Sequence, residues 1–485
     1  MPKNSDRRGF LAALAATSAL AACGGSGSSG VSPRPGSSSS PLPGATAAGG
    51  TVTTPLTIDA TQSDLPSGTP VYAYIVGLVA STNTFYRIDA SGTPHALSAA
   101  DNVQAAGTFP GSSGLVAAAA SAIAPNYPLA WADYSIPVSQ TSPTKISLAN
   151  INPTTMPGLG TGTSAFSGRV YISVGVPKLP FTAQANGYTA PVFTTQPGYL
   201  TLFDWIEFSY DSQGNFNGNT TQVDQFGFPL FLNGTPGGTQ QGQYTASRAT
   251  IMNAIVNATP PIGGLAFQVA VPAAAASAYP AGINLLRLVS AKTLNTAGSF
   301  STYFDTAIHA AYTAWQTTPI VTHEQSTNAY YTGYVPTSGA NAGSLVFVSG
   351  NFPTLLALTA AAPSTAFMVP AAGGFIPTND VWQCANSLAT GSADQKNVQK
   401  QLAAMFNRGF PSASVPTLLD DAACPSGTTF YPAGSTNNTW SHTFHQYSAN
   451  GLAYGFPYDD VCAQNPSISL TSTTAVTITL GKFFS

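Results

Sequence analysis

The sequence predicts an α+β protein, and three observations carry that prediction. Between residues 55 and 299, short apolar runs at 56–58, 71–78, 85–88, 146–148, 168–176 and 265–271 are punctuated by Gly, Pro, Asn and Ser. That is the pattern of an all-β sandwich or barrel. Helical periodicity then enters at 302–316 and 395–408, so a mixed α/β region follows the β-rich one. Finally, charged residues are only 7% of the chain while Gly numbers 46 and Pro 38, which suits a turn-rich β protein and argues against a helical bundle.

The chain opens on an address. Arg7-Arg8 followed by a mostly apolar run to Ala22 has the twin-arginine form and is too short to span a bilayer comfortably. Leu20-Ala21-Ala22-Cys23 looks like a bacterial lipobox, so Cys23 is the expected lipidation site. Residues 24–52 are almost entirely small and uncharged and behave as a tether. Residues 1–23 are therefore read as a signal for twin-arginine export. The destination is either anchorage at the cell envelope through the lipid or secretion, and the lipidated N-terminus is the sole membrane contact expected.

The body divides into a β-rich domain at 53–299, a mixed α/β domain at 300–440, and a segment at 441–485 that returns to the β-domain through the strand-like run 475–480. In 302–316, Phe304, Ile308, Ala311, Tyr312 and Trp315 form one apolar stripe with Ser301 as the expected N-cap. Residues 344–348 read as a buried strand, and the helix at 395–408 ends before Gly409.

A net charge of −3 without a basic cluster argues against a nucleic-acid partner. Beyond Cys23, the cysteines are Cys384, Cys424 and Cys462, an odd number that permits one internal disulfide. The pairing is open, with Cys384–Cys424 the expectation. His442 and His445 share a helical face and are read as structural or groove-lining. No spacing suggests a metal site, and neither metal nor organic cofactor is expected.

The stretch from Leu202 to Leu230 reads as a hairpin. Leu202 to Tyr210 alternates as a half-buried strand, with Phe203, Trp205, Glu207, Ser209 and Asp211 on one face. The Gly/Asn-rich SQGNFNGN supplies a turn. On the return, Thr220, Gln222 and Asp224 share a face. A turn centred between Asn215 and Phe216 sets Glu207 directly across from Asp224, where cross-strand Cβ atoms lie roughly 4.5–5.5 Å apart. Two carboxyls flanked by Trp205 are what glycosidic-bond cleavage requires, one to protonate the leaving oxygen and one to activate water or attack the sugar. A solvated hairpin with acids that only confer solubility has the same pattern.

Family resemblance separates these readings. WIEFS and VDQFGFPL are similar to the W-x-E-[FL]-[TS] and V-D-x-[FV]-G-[FL]-P-[IL] segments of glycoside hydrolase family 64, the endo-β-1,3-glucanases with a thaumatin-like β-domain. YGFPYDDV at 454–461, SGRVYIS at 167–173 and the strands at 55–97 resemble other segments of the same family. The resemblance implies a thaumatin-like sandwich or barrel with a wide groove between it and the α/β domain. It implies Glu207 as general acid and Asp224 as general base, by inversion, on internal bonds of laminarin, curdlan or fungal-wall glucan, releasing laminari-oligosaccharides.

Substrate contacts implied or read with it are Trp205, Ser209, Asp211, Thr221, Tyr458, Asp459 and Asp460. Strand alternation selects Thr220 rather than Thr221 for the groove face, and Arg169 either faces the groove or pairs at the surface. A monomer acting on neutral β-1,3-glucan is expected. A non-catalytic glucan-binding lipoprotein on the same scaffold, or a surface adhesin, is the alternative.

Overall fold

The computed structural model describes residues 55–105, 130–184, 187–189, 200–235, 238–258, 267–294, 300–324, 327–409, 418–420, 429–464 and 466–485. The twin-arginine run, Cys23, the tether and Cys424 lie outside them.

Two sheets form the β-rich half. The first runs, in spatial order, Gly238–Gln241, β6 (Leu230–Thr235), β7 (Ala475–Leu480), β1 (Pro55–Asp59), Thr144–Ser147. The C-terminal strand β7 thus returns as expected, antiparallel to β6 and parallel to β1. The second runs Ile468–Leu470, β5 (Phe216–Thr220), β4 (Leu202–Tyr210), β3 (Phe166–Val174), β2 (Val71–Val79), Thr84–Ile88, Pro94–Ala96, with Ile136–Val138 also on β2. Side chains alternate between faces, so Ile75, Val170, Ile206 and Phe208 point toward Ile58, Leu232 and Ile478 of the first sheet and make the inter-sheet core. The opposite face of the second sheet carries its own aromatic layer of Tyr74, Tyr171, Phe181, Phe203 and Trp205. Every residue of β4 is therefore buried, against the half-buried strand that alternation suggests.

Seven α-helices lie among the described residues: α1 (Arg248–Asn257), α2 (Ala291–Leu294), α3 (Asp305–Ala314), α4 (Leu355–Ala361), α5 (Thr378–Gln383), α6 (Ala393–Asn407) and α7 (Thr439–Tyr447). The predicted stripe of α3 is buried with Trp382, Leu402 and Phe406 beside a five-stranded sheet that includes Val346–Ser349. Ser301 does not cap it. The helix begins at Asp305, because the Phe304 amide donates to Thr378 Oγ1 and that hydroxyl donates to Asp305. Helix α6 starts on a Ser392/Gln395 capping box. Helices α1 and α7 pack through Ile251, Met252, Trp440 and Phe444 onto Phe226 and Leu288. Cys462 is disulfide-bonded and Cys384 is a free buried thiol, which corrects the expected Cys384–Cys424 bridge.

The 454–461 segment is tied into this frame by a buried carboxylate. Asp459, fully covered, accepts from Arg408 Nη2 (2.9 Å), Ser441 Oγ (2.7 Å) and the Gly455 amide (2.9 Å), and meets His445 Nε2 at 3.0 Å. Arg408, equally covered, also donates to the carbonyls of Asp459 and Val461. Removing one partner of such a pair leaves a buried charge uncompensated. Asp459→Ala is therefore expected to lower unfolding free energy by about 3–5 kcal/mol in urea titration, and a loss below about 1 kcal/mol would contradict this account.

Candidate active site

The hairpin exists, but its register is not the predicted one. Glu207 lies across from Asn219, Ile206 from Thr220, and Tyr210 from Phe216. The loop is 211–215, and Asp211 builds it. Its carboxylate accepts from the amides of Gln213 and Asn215 and from Asn215 Nδ2, each at 2.9 Å. The structure places Asp211 in the turn, where its carboxylate caps the loop. Thr220, opposite Ile206, faces the inter-sheet core and not the Glu207 side, which corrects the alternation reading.

Strand β5 ends at Thr220, so Asp224 sits in an irregular segment held from several directions. Tyr454 O accepts the Gln222 amide (2.8 Å), and the Gln222 carbonyl accepts from Trp440 Nε1 (2.7 Å). Ser290 donates its hydroxyl to Val223 O (2.7 Å) and its amide to Asp224 O (3.0 Å). Downstream, Asp204 of β4 accepts from the Gly227 amide at 2.7 Å. A Cβ on Gly227 would stand 2.3 Å from Phe203 O, so the GFP run needs glycine to approach β4 this closely. Thr221 turns its hydroxyl to the Val223 amide (3.4 Å), a contact within its own turn.

On the Glu207 side, Arg169 of β3 is its direct cross-strand neighbour. Arg169 Nε and Nη2 both donate to Glu207 Oε1, at 3.3 and 3.1 Å. The guanidinium lies 4.7 Å from the Trp205 ring centroid, and Trp205 packs on Tyr171. Trp205 is only 2% exposed, so it backs Arg169 rather than presenting a platform. Arg169 is accordingly a partner of the site carboxyl, not a surface pair. Ser209 lies two residues along the same face, between Ser167 and Asn217. Asn219, fully buried beside Glu207, has neither amide atom bonded by a described group.

Asp224 has its own cation. Lys292 Nζ in α2 approaches Asp224 Oδ1 at 2.5 Å, and Thr293 Oγ1 donates to the same oxygen at 3.3 Å. Neither residue belongs to any sequence motif, and their contact spans 68 positions or more, so no sequence signal marked them.

Glu207 senses the charge of Asp224, and the surroundings of the two carboxyls push their pKa values apart. Burial raises the Glu207 carboxyl, the charge of Asp224 raises it further, and Arg169 and Lys292 pull it down only in part, so its pKa lies above the ordinary glutamate value. Burial also works to raise Asp224, but Lys292 and Arg169, with hydrogen bonds from Lys292 and Thr293, outweigh it and leave its pKa below the ordinary aspartate value.

The remaining predicted contacts belong to the frame. Asp459 is the covered carboxylate described above. Asp460 points to Lys400 at 3.5 Å, as expected for adjacent acids on opposite sides. Tyr458 is half-buried against the α/β core and donates to Leu388 O (3.4 Å). His442 stacks on Tyr431 with ring centroids 4.7 Å apart, a structural role. No group of His, Cys, Asp and Glu among the described residues has metal-site geometry.

Solved structures share this fold. A laminaripentaose-producing β-1,3-glucanase in complex with laminaritetraose matches at TM-score 0.64 and 21% identity, over 89% of this chain and 99% of that one. A family 64 β-1,3-glucanase domain from Clostridium beijerinckii matches at TM-score 0.62 and 21% identity, over 90% and 100%. A laminaripentaose-producing family 64 enzyme from Paenibacillus barengoltzii matches at TM-score 0.50 and 17% identity, over 88% and 75%. A search of curated proteins finds no match. The sequence model of the β-1,3-glucanases matches residues 54–480, nearly the whole body, and the chain therefore belongs to glycoside hydrolase family 64.

Proposed function

We propose that this glucanase hydrolyses internal bonds of β-1,3-glucans such as laminarin, curdlan and fungal-wall glucan with inversion, Glu207 acting as general acid and Asp224 as general base. The substrate lies in a groove between a thaumatin-like β-domain and the α/β half, and short laminari-oligosaccharides leave. One observation carries the assignment: each carboxyl is held by a cation through a single oxygen. Arg169 occupies Oε1 of Glu207, and Lys292 with Thr293 occupies Oδ1 of Asp224, while no described group bonds Oε2 or Oδ2.

The free oxygens do the chemistry. Glu207, whose protonated form burial favours, gives its Oε2 proton to the leaving glycosidic oxygen as the bond from the anomeric carbon to that oxygen breaks. Asp224 Oδ2 takes a proton from water, whose oxygen forms the new bond to the anomeric carbon. Inversion is taken from the family resemblance, with Asn219 rather than Asp224 in the cross-strand position beside Glu207. The similar structures, one a laminaripentaose-producing enzyme in complex with laminaritetraose, support the choice of glucan.

Glu207→Gln and Asp224→Asn are each expected to cut reducing-end release from laminarin by about 10²–10⁴-fold while circular dichroism stays unchanged. Proton NMR of the first products is expected to show the α-anomer. Wild-type rates in either variant, or β-anomer first, would sink the assignment.

The pH profile follows from the same groups. The acid must be protonated, so kcat/KM falls as pH rises through the raised Glu207 pKa. The base must be ionised, so it falls as pH drops through the lowered Asp224 pKa. We expect a bell in the free enzyme with its alkaline limb above 4.5 and its acid limb below 3.8. A profile flat across that range and above it would contradict the assignment.

A further inference from the structure

We propose that Lys292 is a positioning residue that reserves Asp224 for the role of proton acceptor, an inference that rests on the two-carboxylate reading above. The geometry is a cradle built by residues 290–293. Ser290 fixes the backbone of Val223 and Asp224 through its hydroxyl and amide. Lys292 Nζ and Thr293 Oγ1 then converge on Oδ1, at 2.5 and 3.3 Å. With Oδ1 occupied twice, Oδ2 is left as the acceptor for water, and the side chain cannot rotate without breaking both contacts. The Lys292 side chain is itself three-quarters covered, so its charge acts through little solvent.

The field at Asp224 shows why a dedicated cation is needed. The groups facing it are Lys292 and Thr293 from α2, Arg169 from β3 and Glu207 from β4. Arg169 is already bonded to Glu207 Oε1. Without Lys292, Asp224 would sit buried beside a second carboxyl with only a shared cation, the condition under which two acids divide one proton and neither keeps a fixed role. Lys292 also acts on Glu207, lowering its pKa in part, so its loss moves both groups upward. The thiol of Cys384, just after α5, lies in the field of Lys292 too, and burial keeps that thiol protonated.

A role confined to holding α2 in place would reduce activity at every pH alike. A positioning role moves the profile instead. The test is kcat/KM on laminarin against pH for the full chain, as wild type, Lys292→Met, Lys292→Arg, and Lys292→Cys before and after aminoethylation with 2-bromoethylamine, with wild type treated in parallel.

In Lys292→Met the acid limb is expected to move up by about one pH unit or more, a loss of roughly tenfold at a fixed pH below the limb, with most activity regained on the plateau. Lys292→Arg is expected to keep the limb near its wild-type position. Aminoethylation, which rebuilds a cation on protein already folded, is expected to return the limb in Lys292→Cys. A limb at its wild-type pH in the methionine variant, or no return on aminoethylation, overturns the proposal. Full activity in Glu207→Gln or Asp224→Asn would instead overturn the two-carboxylate reading, which keeps the two failures distinct.

Discussion

Two carboxyl groups in one buried site repel each other, and the repulsion alone does not say which keeps the proton. Here that choice is made by unequal compensation. Arg169 reaches Glu207 at 3.1–3.3 Å, with its guanidinium on the Trp205 ring, while Lys292 stands 2.5 Å from Asp224 with a hydroxyl beside it. Asp224 keeps 13% of its side chain exposed and has the closer cation. The rest of the site is arranged to hold these four side chains in place. A lysine-to-neutral change at 292 therefore alters the charge balance of both carboxyls.

The second constraint is that Asp224 sits where the sheet has ended. A strand would hold it by ladder bonds, whereas an irregular segment must find partners elsewhere for its backbone. Those partners are the Tyr454 carbonyl, Trp440 and Ser290, at sequence separations that make the segment depend on the completed fold. Asp459 lies behind one of them: through the Gly455 amide it fixes the chain that presents the Tyr454 carbonyl, and Arg408, Ser441 and His445 fix Asp459 in turn. The acid-rich 454–461 motif thus bears on the site from behind, by bracing the segment that carries Asp224.

Much of this fold was legible in the sequence, for reasons that are local. Alternation located β4 and β7, and the 3.6-residue stripe of α3 is the buried one. What failed depended on single side chains. SQGNFNGN contains Gly214 and Gly218, either of which suits a turn. Gly214 is used, at φ 75°, because Asp211 caps the loop, whereas Gly218 is in β5, where a Cβ would meet Phe216 and Leu232 within 3.0 Å. That choice shifted the register and moved Asp224 off the strand. Trp205, Asp211 and Asp459, expected as sugar contacts, are each held by another side chain or the backbone, partners that no local pattern marks. Lys292 carried no local signal at all, since only the fold brings α2 to Asp224.

The claim on which the account turns is that Glu207 is held protonated. The chain has only two glutamates, Glu207 and Glu324, so glutamate labelled with ¹³C at the carboxyl carbon gives two titrating signals, and the one missing in Glu207→Gln is assigned. The account predicts that this signal titrates above 4.5, the ordinary glutamate value. A Glu207 signal that titrates at or below 4.5 would mean an ionised carboxylate at working pH, and the general acid would have to be sought elsewhere.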